Sequence, residues 1–110
     1  MANLLIVDNK SSTVADSPEI FYVSPSTGKG TVINAFTASN TSLVNRDYQA
    51  YIVGLSGSAT NPIRPFKIVV WGEVDLGTGI VNQIIPPGGS LRMESSAIDS
   101  IHWTVTGQEL

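Results

Sequence analysis

His102 is the only histidine in the chain, and Asp99 and Ser100 stand just before it. The residue types of a nucleophile, a base and an orienter are thus present in one short stretch. Their spacing argues against that chemistry. Residues 100 and 102 of one strand share a face, and Asp99 at the strand start is placed to cap a turn, which leaves His102 facing solvent. The nine carboxylates are spread singly along the chain. Glu73 and Asp75 come closest to a pair, but they flank Val74 just past a strand and read as a charged turn rather than as metal ligands. Gly77-Thr78-Gly79 has neither the spacing nor the helix of a phosphate or dinucleotide site and reads as another turn. Cysteine is absent, so disulfides and thiolate metal sites are excluded. The chain is therefore expected to be non-enzymatic, with no catalytic residue, no cofactor and no metal. What remains is the chemistry of aromatic platforms for sugar rings, with Trp71 and Trp103 the candidates. Trp103 alternates with Ile101 and Val105, and Trp71 shares a face with Val69, so both are expected to be core residues.

The elements that must position these residues are strands. The chain has 110 residues, 42% apolar and 14% charged, which is the balance of one folded domain, residues 1–110. No window keeps a helical i, i+3, i+4, i+7 apolar pattern. Thr31 to Ser39 lies between the turn formers Gly28-Lys29-Gly30 and Asn40-Thr41-Ser42, and Tyr48 to Val53 and Phe66 to Trp71 follow in the same style. Ile101, Trp103 and Val105 point one way and His102, Thr104 and Thr106 the other, a half-buried antiparallel strand. Pro86-Pro87-Gly88-Gly89 breaks regular structure before Ser90 to Glu94, which has Leu91 and Met93 on one face. Shorter candidates are Leu4 to Val7, Ile20 to Val23 and Ile80 to Ile85. The expected fold is all-β, an antiparallel β-sandwich or jelly roll of about seven to eight strands.

The net charge is −3 and the six basic residues are scattered, so neither nucleic acid nor an anionic membrane is an expected partner. The apolar start, Leu4 to Val7, is short for a signal peptide and lacks its basic flank, and no segment reaches transmembrane length. The sequons at Asn9 and Asn40 are expected by chance in a chain this rich in Asn, Ser and Thr. Two segments are candidate interfaces. Gly54 to Pro65 has no periodicity and reads as a long exposed loop, in which Arg64 and Pro65 are the contact candidates. The segment Ala2 to Lys10, with Leu4, Leu5 and Ile6, is a candidate added strand on a neighbouring subunit.

Three stretches carry a resemblance. They are Gly30-Thr31-Val32-Ile33-Asn34-Ala35-Phe36 leading to Asn40-Thr41-Ser42, then Ile85-Pro86-Pro87-Gly88-Gly89-Ser90-Leu91, and the ending Ile101 to Gly107-Gln108-Glu109. Across residues 28–110 the chain resembles the small β-sandwich structural proteins of tailed bacteriophage particles, most of all the capsid decoration or cement type. The resemblance implies a virion protein made in the host cytoplasm and placed on the outer capsid surface. There it would bind and stabilise the major capsid protein shell, as a homo-oligomer (dimer or trimer). The alternatives are a tail or neck component, or a carbohydrate-binding β-sandwich module contacting a host glycan.

Overall fold

The computed structural model describes residues 3–57 and 62–110; Met1, Ala2 and residues 58–61 of the stretch read as a loop lie outside the described residues. Nine strands, numbered in chain order, make up the described fold: β1 (Leu4–Ser11), β2 (Glu19–Val23), β3 (Thr31–Asn40), β4 (Arg46–Val53), β5 (Arg64–Val69), β6 (Val74–Asp75), β7 (Ile84–Ile85), β8 (Ser90–Ser95) and β9 (Ile101–Glu109). The strand forms where alternation is cleanest: Ile101, Trp103 and Val105 of β9 are fully buried, while His102, Thr104 and Thr106 are half-buried on the outer face. Their neighbour β3 alternates in the same way until a register shift between Ile33 and Ala35 turns Asn34 and Ala35 outward together and returns Phe36 to the core.

All pairings are antiparallel. Those of β1 with β9, β2 with β8, β3 with β6 and β7, and β4 with β5 nest one inside the next, and β3–β9 and β4–β8 join these pairs side by side into sheets. The chain is thus one long hairpin, with its turn between β4 and β5, rolled into two packed sheets. The sheet orders are β1-β9-β3-β6, with β7 also on β3, and β2-β8-β4-β5. With β6 and β7 sharing one edge position beside β3, the winding has the eight positions of a jelly roll.

Aromatic rings from both sheets fill the space between them. Trp103 meets Phe21 edge-on at 5.1 Å and Tyr48 at 6.1 Å, and Phe36 stacks on Tyr48 at 5.8 Å. Burying each such side chain contributes about 1.5–3 kcal/mol, and the ring geometry adds to it.

The structure corrects three expectations. Ile80 to Ile85 is not one strand: Gly77 to Gln83 turns on itself through Ile80 N–H to Gly77 O and Gln83 N–H to Ile80 O, and only Ile84–Ile85 pairs with β3. The strand expected over Phe66 to Trp71 starts earlier, at Arg64, and ends at Val69; this removes Arg64 and Pro65 from the loop. Trp71 therefore stands past the strand end, in a turn closed by Glu73 N–H to Val70 O, and is 59% exposed rather than buried. In the N-terminal segment, β1 pairs with β9 of its own chain along one edge and forms the outer edge of its sheet.

Candidate binding surface

The residues that suggested catalysis are brought near one another but occupied separately. The Ser100 hydroxyl is buried and donates to the Ile98 carbonyl at 3.0 Å, and Asp99 accepts from the Ser11 hydroxyl at 3.1 Å. His102 sits on the outer face of β9 between Ser39 and Ser11, with Nδ1 3.3 Å from the Thr41 hydroxyl. Nothing aligns Ser100 with His102. Among the described residues there is no cluster of three His, Asp or Glu side chains and no pocket.

The most distinctive part of the surface is the side of the sandwich where β5 and β6 face each other. Asp75 on β6 turns inward and accepts from the Tyr48 hydroxyl at 2.5 Å and from the Gly77 amide at 3.1 Å. Arg64 of β5 lies 3.4 Å from both of its oxygens, and Lys67 Nζ is 3.9 Å away. Arg64 also donates to the Thr78 carbonyl at 2.6 Å. Burial, together with the adjacent Asp75 carboxylate, pushes the Tyr48 phenol far above its ordinary pKa, so it stays a neutral donor. This cluster ties the edge of one sheet to the edge of the other.

A second tie is made by Asn40, at the end of β3. Its amide nitrogen donates to the carbonyls of Val44 and Val69, both at 2.9 Å, and its oxygen accepts from the Ser42 amide and hydroxyl. Its backbone bonds Glu73 and Gly72. Asn45 accepts from the Trp71 amide at 3.2 Å. The turns after β3 and after β5 are thereby locked together. Around this cluster Phe66 and Ile68 are exposed on β5, Val70, Trp71 and Leu76 in the turns that follow β5 and β6, and Val74 on the outer face of the larger sheet, with Leu43 and Val44 on the turn after β3; Lys67 and Glu73 are exposed among them.

The outer face of the larger sheet is different in kind. Its cross-strand rows run Val74–Ser39–His102–Ser11, Thr37–Thr104, Ala35–Thr106–Leu5 and Ile84–Val32–Gln108. Its centre is an uncharged array of hydroxyls and amides. The smaller sheet carries charge on its outer face, where Tyr51 donates to Glu94; burial and that carboxylate push the phenol up to about 12.

Of the residues read from the sequence as interface candidates, Arg64 is half-buried in the cluster just described and Pro65 is exposed on β5. Leu4 and Leu5 are exposed on β1, and Ile6 packs partly against the core. Because β1 and β5 lie at opposite edges, the two groups are on opposite sides of the sandwich. The exposed side around Trp71 was missed. Its signal is the run Phe66 to Trp71, interrupted only by Lys67, with apolar residues at both parities: a two-faced strand buries one parity only. Gly72, with φ of +74°, marks the turn that puts Trp71 outside.

Comparison of the chain with known protein families, with curated proteins and with solved structures finds no match.

Proposed function

We propose that this chain is a non-enzymatic structural protein of a bacteriophage particle, a capsid decoration protein that binds the outer surface of the major capsid protein shell and stabilises it. The observation that carries the reading is the outer face of the larger sheet. Rows of Thr, Ser, Gln and His without a carboxylate, lysine or arginine at their centre suit attachment by many weak hydrogen bonds, which repetition over a lattice strengthens by avidity. The jelly-roll winding supports the reading by analogy, since viral capsid domains use it among others. The sequence resemblance over residues 28–110 points the same way.

The test is cosedimentation with phage shells from which the protein has been stripped. Saturable binding is expected, with greater resistance of the refilled shells to heat. Replacing Thr104 at the centre of the face, as Thr104→Glu, is expected to abolish binding while the fold is retained. Shells that neither bind the protein nor gain stability from it would exclude the decoration role.

Exposure of Trp71 favours a second reading, a glycan-contacting module, because an exposed indole is the platform that sugar rings stack on. Retention on a glycan array that is lost in Trp71→Ala would establish it, and absence of retention would remove it.

A further inference from the structure

We propose that His102 is the residue by which the outer face of the larger sheet selects its partner: its Nε2 accepts a hydrogen bond from an N–H or O–H group of the shell protein, and protonation of the ring breaks the attachment. The inference rests on the reading of that face as the attachment surface.

At the level of His102 the face runs from Ser39 on β3 through His102 on β9 to Ser11 on β1, and the neighbouring row sets Thr37 beside Thr104. A hydroxyl both donates and accepts, and its hydrogen turns to suit whatever approaches, so rows of hydroxyls fit partners of either polarity. A neutral imidazole is different, because one ring nitrogen carries a hydrogen and donates while the other can only accept. His102 is the only histidine in the chain. In these two rows it alone has a fixed polarity.

Thr41 decides which nitrogen is the acceptor. Its amide donates to the Ser100 carbonyl at 2.9 Å, its hydroxyl donates to the same carbonyl at 3.4 Å, and the hydroxyl oxygen lies 3.3 Å from His102 Nδ1. With its one hydrogen given to the carbonyl, this oxygen accepts, so the ring hydrogen sits on Nδ1. Nε2 is then the acceptor, and it has no hydrogen-bond partner among the described residues. The ring is half-buried, so a partner seated on the face takes Nε2 out of water and must supply a donor in exchange.

Histidine is the side chain whose charge changes between pH 5 and pH 8. Protonation turns Nε2 from acceptor into donor and puts a positive charge into a row of hydroxyls. The donor of the partner then faces another donor, and both are left unsatisfied. β3 carries no charged residue. On the other elements around the row stand Lys10, next to Ser11 on β1, Asp99 in the turn before β9, and Glu73 just before β6, all exposed. Asp99 already accepts from the Ser11 hydroxyl at 3.1 Å.

The test is the affinity for stripped phage shells at pH 8 and at pH 5. The unaltered chain is expected to bind at pH 8 and at least ~10-fold more weakly at pH 5. His102→Gln keeps an acceptor and cannot become charged, so it is expected to bind alike at both, which separates the ring from any titration of the shell itself. His102→Lys, a charged donor at both values, is expected to bind weakly at both. Nitrogen NMR of the single histidine reads the tautomer without shells, and the neutral ring is expected to carry its hydrogen on Nδ1. Equal binding of the unaltered chain at the two pH values, a His102→Gln variant that weakens as much at pH 5, or a neutral ring with its hydrogen on Nε2 would overturn this inference and leave the decoration role standing. Shells that bind the chain at neither pH would overturn both.

Discussion

The two open sides of the sandwich solve the same problem in opposite ways. On one side, β1 and β2 end the sheets with edges that are irregular and charged. β1 slips register between Leu5 and Val7 and again between Val7 and Lys10, Asn9 has φ of +49°, and β2 slips between Ile20 and Tyr22. Asp8, Lys10, Asp16 and Glu19 stand among its apolar residues, and Glu19 closes the connecting turn by accepting from the amides of Thr13 and Val14. Bulges and charges of this kind keep another strand from adding to an edge. On the other side, β5 and β6 turn their charges inward onto Asp75 and leave apolar side chains outside. One side is closed off by bulges and surface charge, the other by a staple of inward-turned polar groups.

The largest expected break in this comparison comes from the staple. Asp75→Ala leaves Arg64 and the Tyr48 hydroxyl without their partner in a half-buried site. Urea denaturation is expected to show a loss of about 2–4 kcal/mol. Glu19→Ala on the other side, where the carboxylate is solvated, is expected to cost less than about 1 kcal/mol. Equal losses would mean that the two sides are held alike.

Gly77, just past Asp75, gives a smaller effect. A Cβ there would lie 2.4 Å from the Phe36 ring, and φ is +66°, so Gly77→Ala meets both a clash and backbone strain. At Gly72 φ is +74° with open space around it, so Gly72→Ala meets strain alone. Thermal unfolding is expected to place the first at about 2 kcal/mol and the second at about 1 kcal/mol. A Gly77→Ala variant as stable as Gly72→Ala would show that Phe36 yields and that the turn is not packed against the core.

The two sides also divide the pH profile of stability. Burial works against ionisation of Glu19, but hydrogen bonds from the Thr13 hydroxyl and the Val14 and Thr13 amides outweigh it and lower its pKa below 4.5. Stability from this group is present above pH 4.5 and is lost as the pH falls through the lowered value. Tyr48 is shifted the other way. Its contribution is complete below pH 10.0 and is lost as the pH rises beyond that. Glu19→Gln is therefore expected to flatten the acid limb of a stability–pH curve and Tyr48→Phe the alkaline limb. The reverse assignment would contradict the account of both sides.

Much of the fold was legible in the sequence, for a physical reason. β3, β4, β8 and β9 alternate between a core face and a wetter one, and turn formers bound them, so period and punctuation agree. Legibility failed where chain and solvent part from alternation. β5 is apolar at both parities, so its inward face could not be chosen from pattern, and Trp71 was assigned to the core with Val69. Arg64 was read as a loop residue because prolines flank it; Pro65 is tolerated in a strand because β5 is an edge. Ile80, Ile84 and Ile85 look like one strand, but Ile80 is buried within a turn instead. The candidate surface was least legible, because it depends on Asp75 and Asn40 pairing across segments far apart in the chain, and spacing along the chain carries no trace of that.

The chain has two tryptophans, Trp103 fully buried in the core and Trp71 exposed in the turn after β5, and acrylamide quenching of their fluorescence tests most directly the claim that the chain leaves the core after Val69. Quenching of the unaltered chain is expected to be strong, because Trp71 is open to solvent. In Trp71→Phe it is expected to be weak, since only Trp103 remains. Quenching of the unaltered chain as weak as that of Trp71→Phe would contradict the claim that the turn after β5 puts Trp71 outside.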